Sequence, residues 1–279
     1  MDAYFRPRTL DEALRHLAAA PGCQVLAGGT DVFPARAGAE VWLRRDQRPL
    51  LDISGVAGLD GLAESATQWR IGALVTWAQL RAAPLPAAFA GLCEAARQVG
   101  GAQVQNRGTV LGNLCNASPA ADGVPPLLTL DASVELAGPQ GRRVLPLADF
   151  LLGNRRTALA PGELAVALRL PQPPAGARAG FLKLGARSHL VISIAMAAAM
   201  LVVEAGQVRQ ARLAVGACSA VAQRLPLAEA ALLGGPADPA RLRPEHLAGL
   251  APIDDVRATA GYRRDAALVL LRRLVEQLA

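Results

Sequence analysis

The chain has 279 residues, 52% of them apolar but only 4% aromatic, enough for one large domain or two to three smaller ones with ample core. The longest uncharged apolar stretch, Leu190 to Val203, is too short to cross a bilayer as a helix, and Met1 to Arg8 holds no hydrophobic signal region, so a soluble, cytoplasmic protein is expected. The net charge of +6 does not point to nucleic acid: the arginine pairs at Arg44-Arg45, Arg142-Arg143, Arg155-Arg156, Arg263-Arg264 and Arg272-Arg273 are dispersed and lack interleaved aromatics, so they read as solvated faces or a partner-protein surface.

Three regions follow one another along the chain. In the first, Thr9-Leu10-Asp11-Glu12 is a capping box that predicts an amphipathic helix to about Ala19, ended by Pro21-Gly22. Gln24-Val25-Leu26-Ala27 reads as a buried strand running into the Gly28-Gly29 turn, with Asp31 placed to start the next helix. A second strand is expected at Leu50 to Ile53. Glycines let backbone approach a ligand closely, and successive N–H groups in such a turn form a concave anion site. A helix N-terminus behind it adds partial positive charge, so this is where a phosphate belongs. A plain tight loop would look the same.

The second region runs from about Ser54 to Leu170. It should hold a strand at Trp69 to Ala73, a short helix capped by Thr76 and carrying Trp77 and Leu80, and a helix from Phe89 to Val99. That last helix is expected to bury Phe89, Leu92, Cys93 and Ala96. A second glycine turn, Thr109-Val110-Leu111-Gly112-Asn113, comes next. Val134 to Ala137 and Val144 to Leu147 flank Gly138-Pro139-Gln140-Gly141 as a hairpin, and Glu163 to Leu170 is another strand closed by Pro171. The proline-rich segment Pro171 to Gly176 marks a boundary. Beyond it come strands at Phe181 to Leu184, Ile192 to Val203 and Val208 to Gly216, then two or three helices, the last from about Tyr262 to Leu278.

Hydrolytic and metal chemistry find no support. Cys23, Cys93, Cys115 and Cys218 are scattered without a Cys-x-x-Cys pair, and read as small buried side chains. His16, His189 and His246 are isolated, with no nucleophile elbow or metalloprotease spacing. One compositional fact is sharper: of 29 basic residues only Lys183 is a lysine. Lysine and arginine differ in shape and desolvation, so a site fitted to one often rejects the other; chance survival is the competing reading.

Taken together, Ala27-Gly28-Gly29-Thr30-Asp31, Asn106-Arg107-Gly108-Thr109-Val110 with Gly112-Asn113, and Ala117-Ser118-Pro119-Ala120-Ala121-Asp122 resemble the FAD-binding medium subunit of the molybdenum hydroxylases. That family includes the xanthine and carbon monoxide dehydrogenases. The resemblance spans the chain, from Phe5-Arg6-Pro7 through Arg70 to Ala73, Lys183 and Arg187, to Asp255-Val256-Arg257-Ala258, Ala260 and Tyr262-Arg263-Arg264. It implies an α+β fold: a vanillyl-alcohol-oxidase (PCMH-type) FAD-binding domain over 1–171, with subdomains at about 1–53 and 54–171. A C-terminal domain of the CO-dehydrogenase flavoprotein type, an antiparallel sheet with a small helical layer, would occupy 172–279.

Carried over residue by residue, Val25, Leu26, Ala27, Gly28, Gly29, Thr30, Asp31 and Val32 would wrap the FAD diphosphate and ribityl region. Thr109, Val110, Leu111, Gly112 and Asn113 would hold the diphosphate from the second subdomain. Asp122 would bond the sugar or adenine, Ala165 would face the flavin ring, and Lys183 would sit at the flavin end, its ammonium favouring the reduced anionic ring. The FAD would be non-covalent, with no catalytic side chain on this chain. The small partner would carry two [2Fe–2S] clusters and the large one molybdopterin; the final acceptor would be NAD⁺, oxygen or a quinone. Three departures stand out: Leu111 replaces the first of two adjacent glycines, Ala165 a larger aliphatic residue, and Ser188-His189-Leu190-Val191 a segment often acidic. If Leu111 needed positive φ it would cost roughly 1–2 kcal/mol. A free-standing flavin oxidase and a scaffold that has lost FAD stay open as alternatives.

Overall fold

The computed structural model describes residues 4–20, 22–41, 46 and 48–279. Its first unit is a small parallel sheet. Strand β1 (Tyr4–Phe5) leads into α1 (Leu10–Ala19), β2 (Gln24–Leu26), α2 (Val32–Val41) and β3 (Leu50–Asp52), and the strands pair in the order β1-β3-β2, all parallel. The capping box is present: the Glu12 N–H donates to Thr9 Oγ1 at 3.2 Å, and Glu12 Oε2 accepts from the Thr9 N–H at 3.3 Å. Ala13 and Leu17, one turn apart, are the buried stripe of α1. The helix stops where the Ala20 N–H closes on the His16 carbonyl. Pro21, expected to end it, lies outside the described residues, as do Arg44 and Arg45.

The second unit contains β4 (Leu62–Glu64), β5 (Gln68–Gly72), α3 (Trp77–Ala82), α4 (Ala90–Gln98), α5 (Ala102–Arg107), α6 (Val110–Cys115) and α7 (Val124–Thr129). It continues with β6 (Ser133–Gly138), β7 (Gly141–Pro146), α8 (Leu147–Phe150), the β8 (Leu151–Gly153) and β9 (Arg156–Thr157) ribbon, and β10 (Leu164–Pro171). The sheet order β4-β5-β10-β6-β7 puts the last strand at the centre, antiparallel to both neighbours. That position explains its near-continuous apolar run: Leu164 to Leu168 and Leu170 are all buried. A bulge between Ala165 and Ala167 re-aims the start of β10. Thr76 caps α3 in a second capping box with Gln79, as expected.

Two expectations need correction here. Thr109 to Asn113 is not a free turn. Thr109 is the N-cap of α6, and Gly112 N–H donates to its Oγ1 at 3.0 Å. Leu111 therefore sits in a right-handed helix, absent from the positive-φ residues, and the feared steric cost does not arise. Helices of six residues show too little periodicity to be read, and Gly108 and Gly112 look like breakers. As for the thiols, only Cys218 is fully buried; Cys23, Cys93 and Cys115 are half-buried, and Ala95 replaces Cys93 on the buried face of α4.

The third unit is an antiparallel sheet in the order β11 (Arg178–Leu184), β12 (Ala195–Glu204), β13 (Gln207–Gly216), β14 (Gln223–Arg224), followed by α9 (Pro226–Leu232) and α10 (Ala260–Leu278). Helices α9 and α10 cover one face, and α4 and α7 from the second unit pack against the same sheet. Residues 195–202 of β12 are buried without alternation, as a strand covered on both faces must be. The approach of α4 is close: a Cβ on Gly91 would lie 2.8 Å from the Gly180 carbonyl oxygen, and the Phe181 N–H donates to Glu94 Oε2 at 2.7 Å. Arg263, 2% exposed, bonds the Ile194 carbonyl at 2.6 Å and Asp255 Oδ1 at 2.6 Å, tying α10 to the strand entrance.

Candidate functional site

Where the first two units meet, their loops touch backbone to backbone. A Cβ on Gly28 would lie 2.0 Å from the Arg107 carbonyl oxygen, so only glycine allows this approach. Gly29 has φ +76, the left-handed conformation that turns the chain from β2 towards α2. Asn116 Nδ2 donates to Asp31 Oδ1 at 2.8 Å, a second tie between the loops. The second loop is fixed from behind: Val110 N–H donates to the Val75 carbonyl at 3.0 Å and Trp77 N–H to the Gly108 carbonyl at 3.2 Å.

Between the loops lies a cavity of about 450 Å³, within the roughly 300–1,000 Å³ usual for cofactor sites. Val25, Ala27, Gly28, Gly29, Thr30, Asp31 and Val32 line one side. Thr109, Leu111, Gly112 and Asn113 line the other, and Ala165 closes it at the start of the central strand. Leu26 and Val110 sit behind these walls, 5% and 0% exposed. Asp122 and Lys183 are also off the wall: Lys183 Nζ donates to Asp122 Oδ2 at 2.7 Å, while Ser193 Oγ donates to Asp122 Oδ1 at 2.9 Å. Burial pushes the Asp122 carboxyl up, against the opposing pull of Lys183 and Ser193. This pair bridges the second and third units. Val99, Val104, Leu159 and Glu163 also face the cavity; Val99 and Leu159 are single apolar residues outside helices and strands, Val104 lies in the short α5 and Glu163 just ahead of β10, and none of them belongs to a motif. Asn116 lay beside a quoted motif, yet its role needed the fold.

The cavity suits an anionic diphosphate. Among the described residues, the N–H groups of Gly28, Gly29, Thr30 and Asp31 donate to no protein acceptor, and they precede the ten-residue α2. Its two carboxylates are already engaged: Asp31 with Asn116, and Glu163 with Arg143 at 2.6 and 2.7 Å. The Arg143 hydrogen bonds hold Glu163 below the ordinary carboxylate range. Burial pushes the half-buried Cys115 thiol up to about 12, leaving it neutral and unreactive. The wall is shaped for binding, and no nucleophile–base pair stands on it.

Two loops from adjoining units, closing on one phosphate-ready cavity within a mixed helix-and-sheet chain, define an α+β nucleotide-cofactor protein. Residues 1–173 match the family described as FAD binding domain in molybdopterin dehydrogenase, and residues 181–278 match the CO dehydrogenase flavoprotein C-terminal domain. The xanthine dehydrogenase FAD-binding subunit of Escherichia coli O157:H7 is 31% identical, covering 99% of this chain and 95% of its own. The nicotine 6-hydroxylase medium subunit of Paenarthrobacter nicotinovorans is 30% identical over 98% of this chain and 95% of its own. The solved structure of a reconstituted CO dehydrogenase from Oligotropha carboxidovorans superposes with TM-score 0.91 at 30% identity, covering 99% of this chain and 96% of that one. The chain belongs to the FAD-binding medium subunits of the molybdenum hydroxylases, oxidoreductase complexes whose medium subunit uses FAD. No helix among the described residues is long and apolar enough to cross a membrane.

Proposed function

We propose that this chain is the electron-relay subunit of a heteromeric molybdenum hydroxylase. It would take electrons from the [2Fe–2S] clusters of a small partner and pass them to an external acceptor such as NAD⁺, oxygen or a quinone, while a large molybdopterin subunit oxidises the substrate. The observation that carries this is the paired grip: unpartnered N–H groups at Gly28 to Asp31, facing the α6 N-cap across one cavity. Bound FAD supplies the chemistry, because it accepts electrons singly or in pairs. The protein's own part is to bind, orient and shield.

In this reading the loop 25–32 holds the diphosphate and ribityl chain, and 109–113 holds the same diphosphate from the second unit. Ala165 leaves room beside the ring, and the Asp122–Lys183 pair, set behind the cavity wall, fastens the third unit to the second. The FAD-binding domain spans 1–171 and the C-terminal domain 172–279. Purified protein should be yellow, with stoichiometric FAD that passes into the supernatant on acid precipitation. Flavin retained in the pellet would instead mark a free-standing covalent oxidase. Colourless protein that takes up no FAD would mark a scaffold.

A further inference from the structure

Leu159 lies on the loop 158–163, which joins β9 to β10 and runs on into Ala165. It is half-buried, resting on the core with one side and lining the FAD cavity with the other. Nothing in the grip on the diphosphate uses it. The loop around it is fastened by a single side chain. Arg143, from β7, donates through Nη2 to the Ala158 carbonyl at 2.8 Å and to Glu163 Oε2 at 2.7 Å, and through Nε to Glu163 Oε1 at 2.6 Å. One guanidinium therefore bonds the first and last residues of the loop. Inside that clasp the Ala160 N–H donates to Glu163 Oε2 at 2.8 Å, and the Glu163 N–H closes on the Ala160 carbonyl at 3.0 Å. Glycines make room for it: Gly162 takes φ +80, and a Cβ on Gly138 would stand 2.7 Å from Glu163 Cγ.

The Arg143 side chain is 42% exposed, and an ion pair so open to solvent adds little to stability by itself. Its effect here is geometric. A bidentate fork fixes direction as well as distance, and a side chain held in place before its ligand arrives loses less freedom on binding. Glu163 faces the cavity too, so the same fork keeps its charge paired where an anionic cofactor would enter.

Ala165 offers a ring only one methyl group, whereas cofactor pockets hold flat rings mainly by apolar contact. We propose that Leu159 supplies this contact on the flavin ring, and that Arg143, acting through Glu163, is the residue that positions it. The proposal rests on the reading that sets the ring beside Ala165. Leu159 belongs on that side of the site because its loop runs straight into Ala165, away from the two loops that grip the diphosphate.

The test titrates the full-length apoprotein by calorimetry with FAD and with ADP, which has the adenosine and diphosphate but no flavin. Leu159→Ala should weaken FAD binding about tenfold, the loss expected when most of one apolar side chain goes unburied, and leave ADP binding unchanged. Leu159→Met, which keeps the bulk, should retain wild-type affinity for both. Arg143→Ala should weaken FAD binding less than Leu159→Ala and spare ADP. Both alanine variants should move the visible absorption band of bound flavin towards that of free FAD. Combined, they should weaken FAD binding no further than Leu159→Ala alone, because the fork acts through Leu159. Unchanged FAD affinity in Leu159→Ala would overturn the proposal. Equal losses of FAD and ADP would also overturn it, assigning Leu159 to the adenine side or to folding. Additive losses in the double variant would overturn the role of Arg143. Wild-type chain that binds ADP but not FAD would instead sink the reading on which the proposal rests.

Discussion

Replacing Gly28 with alanine places a methyl group where the two loops meet. The new Cβ would stand 2.0 Å from the Arg107 carbonyl oxygen, 2.7 Å from its carbon and 2.9 Å from the Gly108 Cα. Ordinary contacts begin near 3.4 Å, so the loops must part by more than about 1 Å; every atom in the way is backbone and cannot swing aside. Parting them pulls one set of N–H donors out of reach of a diphosphate held by both. A hydrogen bond to a charged group contributes about 1.5–3 kcal/mol, and losing one weakens binding roughly ten- to a hundredfold. We expect the FAD dissociation constant of Gly28→Ala to rise by that factor, measured by flavin fluorescence on titrating apoprotein. Gly38→Ala on α2 is the control, because its Cβ meets nothing within 4 Å. It should gain up to about 1 kcal/mol of stability from helix propensity, with FAD affinity unchanged. A Gly28→Ala affinity within twofold of wild type would refute the idea that loop closure sets the grip.

Gly112→Ala would put a Cβ 2.6 Å from Thr109 Oγ1 and displace the α6 cap; a loss of about 1 kcal/mol in urea unfolding is expected. Lys183→Met leaves Asp122 buried with Ser193 alone, and breaking a buried pair this way should cost about 3–5 kcal/mol. The double change Asp122→Leu with Lys183→Met should recover most of that loss in the same assay; a purely additive double variant would contradict the pairing. Glu135, 2% exposed, lies among Arg70, Arg142 and Arg169 at 3.4, 2.5 and 3.0 Å. Burial alone would raise its carboxyl, but the Arg169 and Arg142 hydrogen bonds and the Arg70 charge hold it below the ordinary value of 4.5. The unfolded chain thus binds this proton more readily, so the stabilisation is full above about 4.5 and is lost as pH falls through the lowered value. Thermal melts from pH 7 to 3 should show wild type losing more stability than Glu135→Gln; parallel curves would rule this out.

Local signals were the most legible in the sequence. The caps at Thr9 and Thr76 need only residues three apart, and both helices start where those pairs place them. The apolar run from Ile192 to Val203 announced a strand, though β12 begins at Ala195 and ends at Glu204. What escaped was short or long-range. Helices α5, α6 and α7 span six residues each, less than two turns, so no stripe could form. The Lys183–Asp122 bond joins residues 61 apart, and Asn116–Asp31 joins residues 85 apart; pairings at that separation follow from topology alone. The solitary lysine, Lys183, has a side chain only 6% exposed. Its immediate partner is a carboxylate in the adjoining unit, a geometry that composition had no means to supply.

The most direct measurement is the position of the two phosphorus atoms in a diffraction structure of the FAD-loaded protein. We expect diphosphate oxygens about 2.7–3.2 Å from backbone nitrogens between Gly28 and Asp31 on one side, and within hydrogen-bond reach of Thr109 to Asn113 on the other. A diphosphate that contacts only one of these loops, or lies outside the cavity between them, would contradict the shared grip.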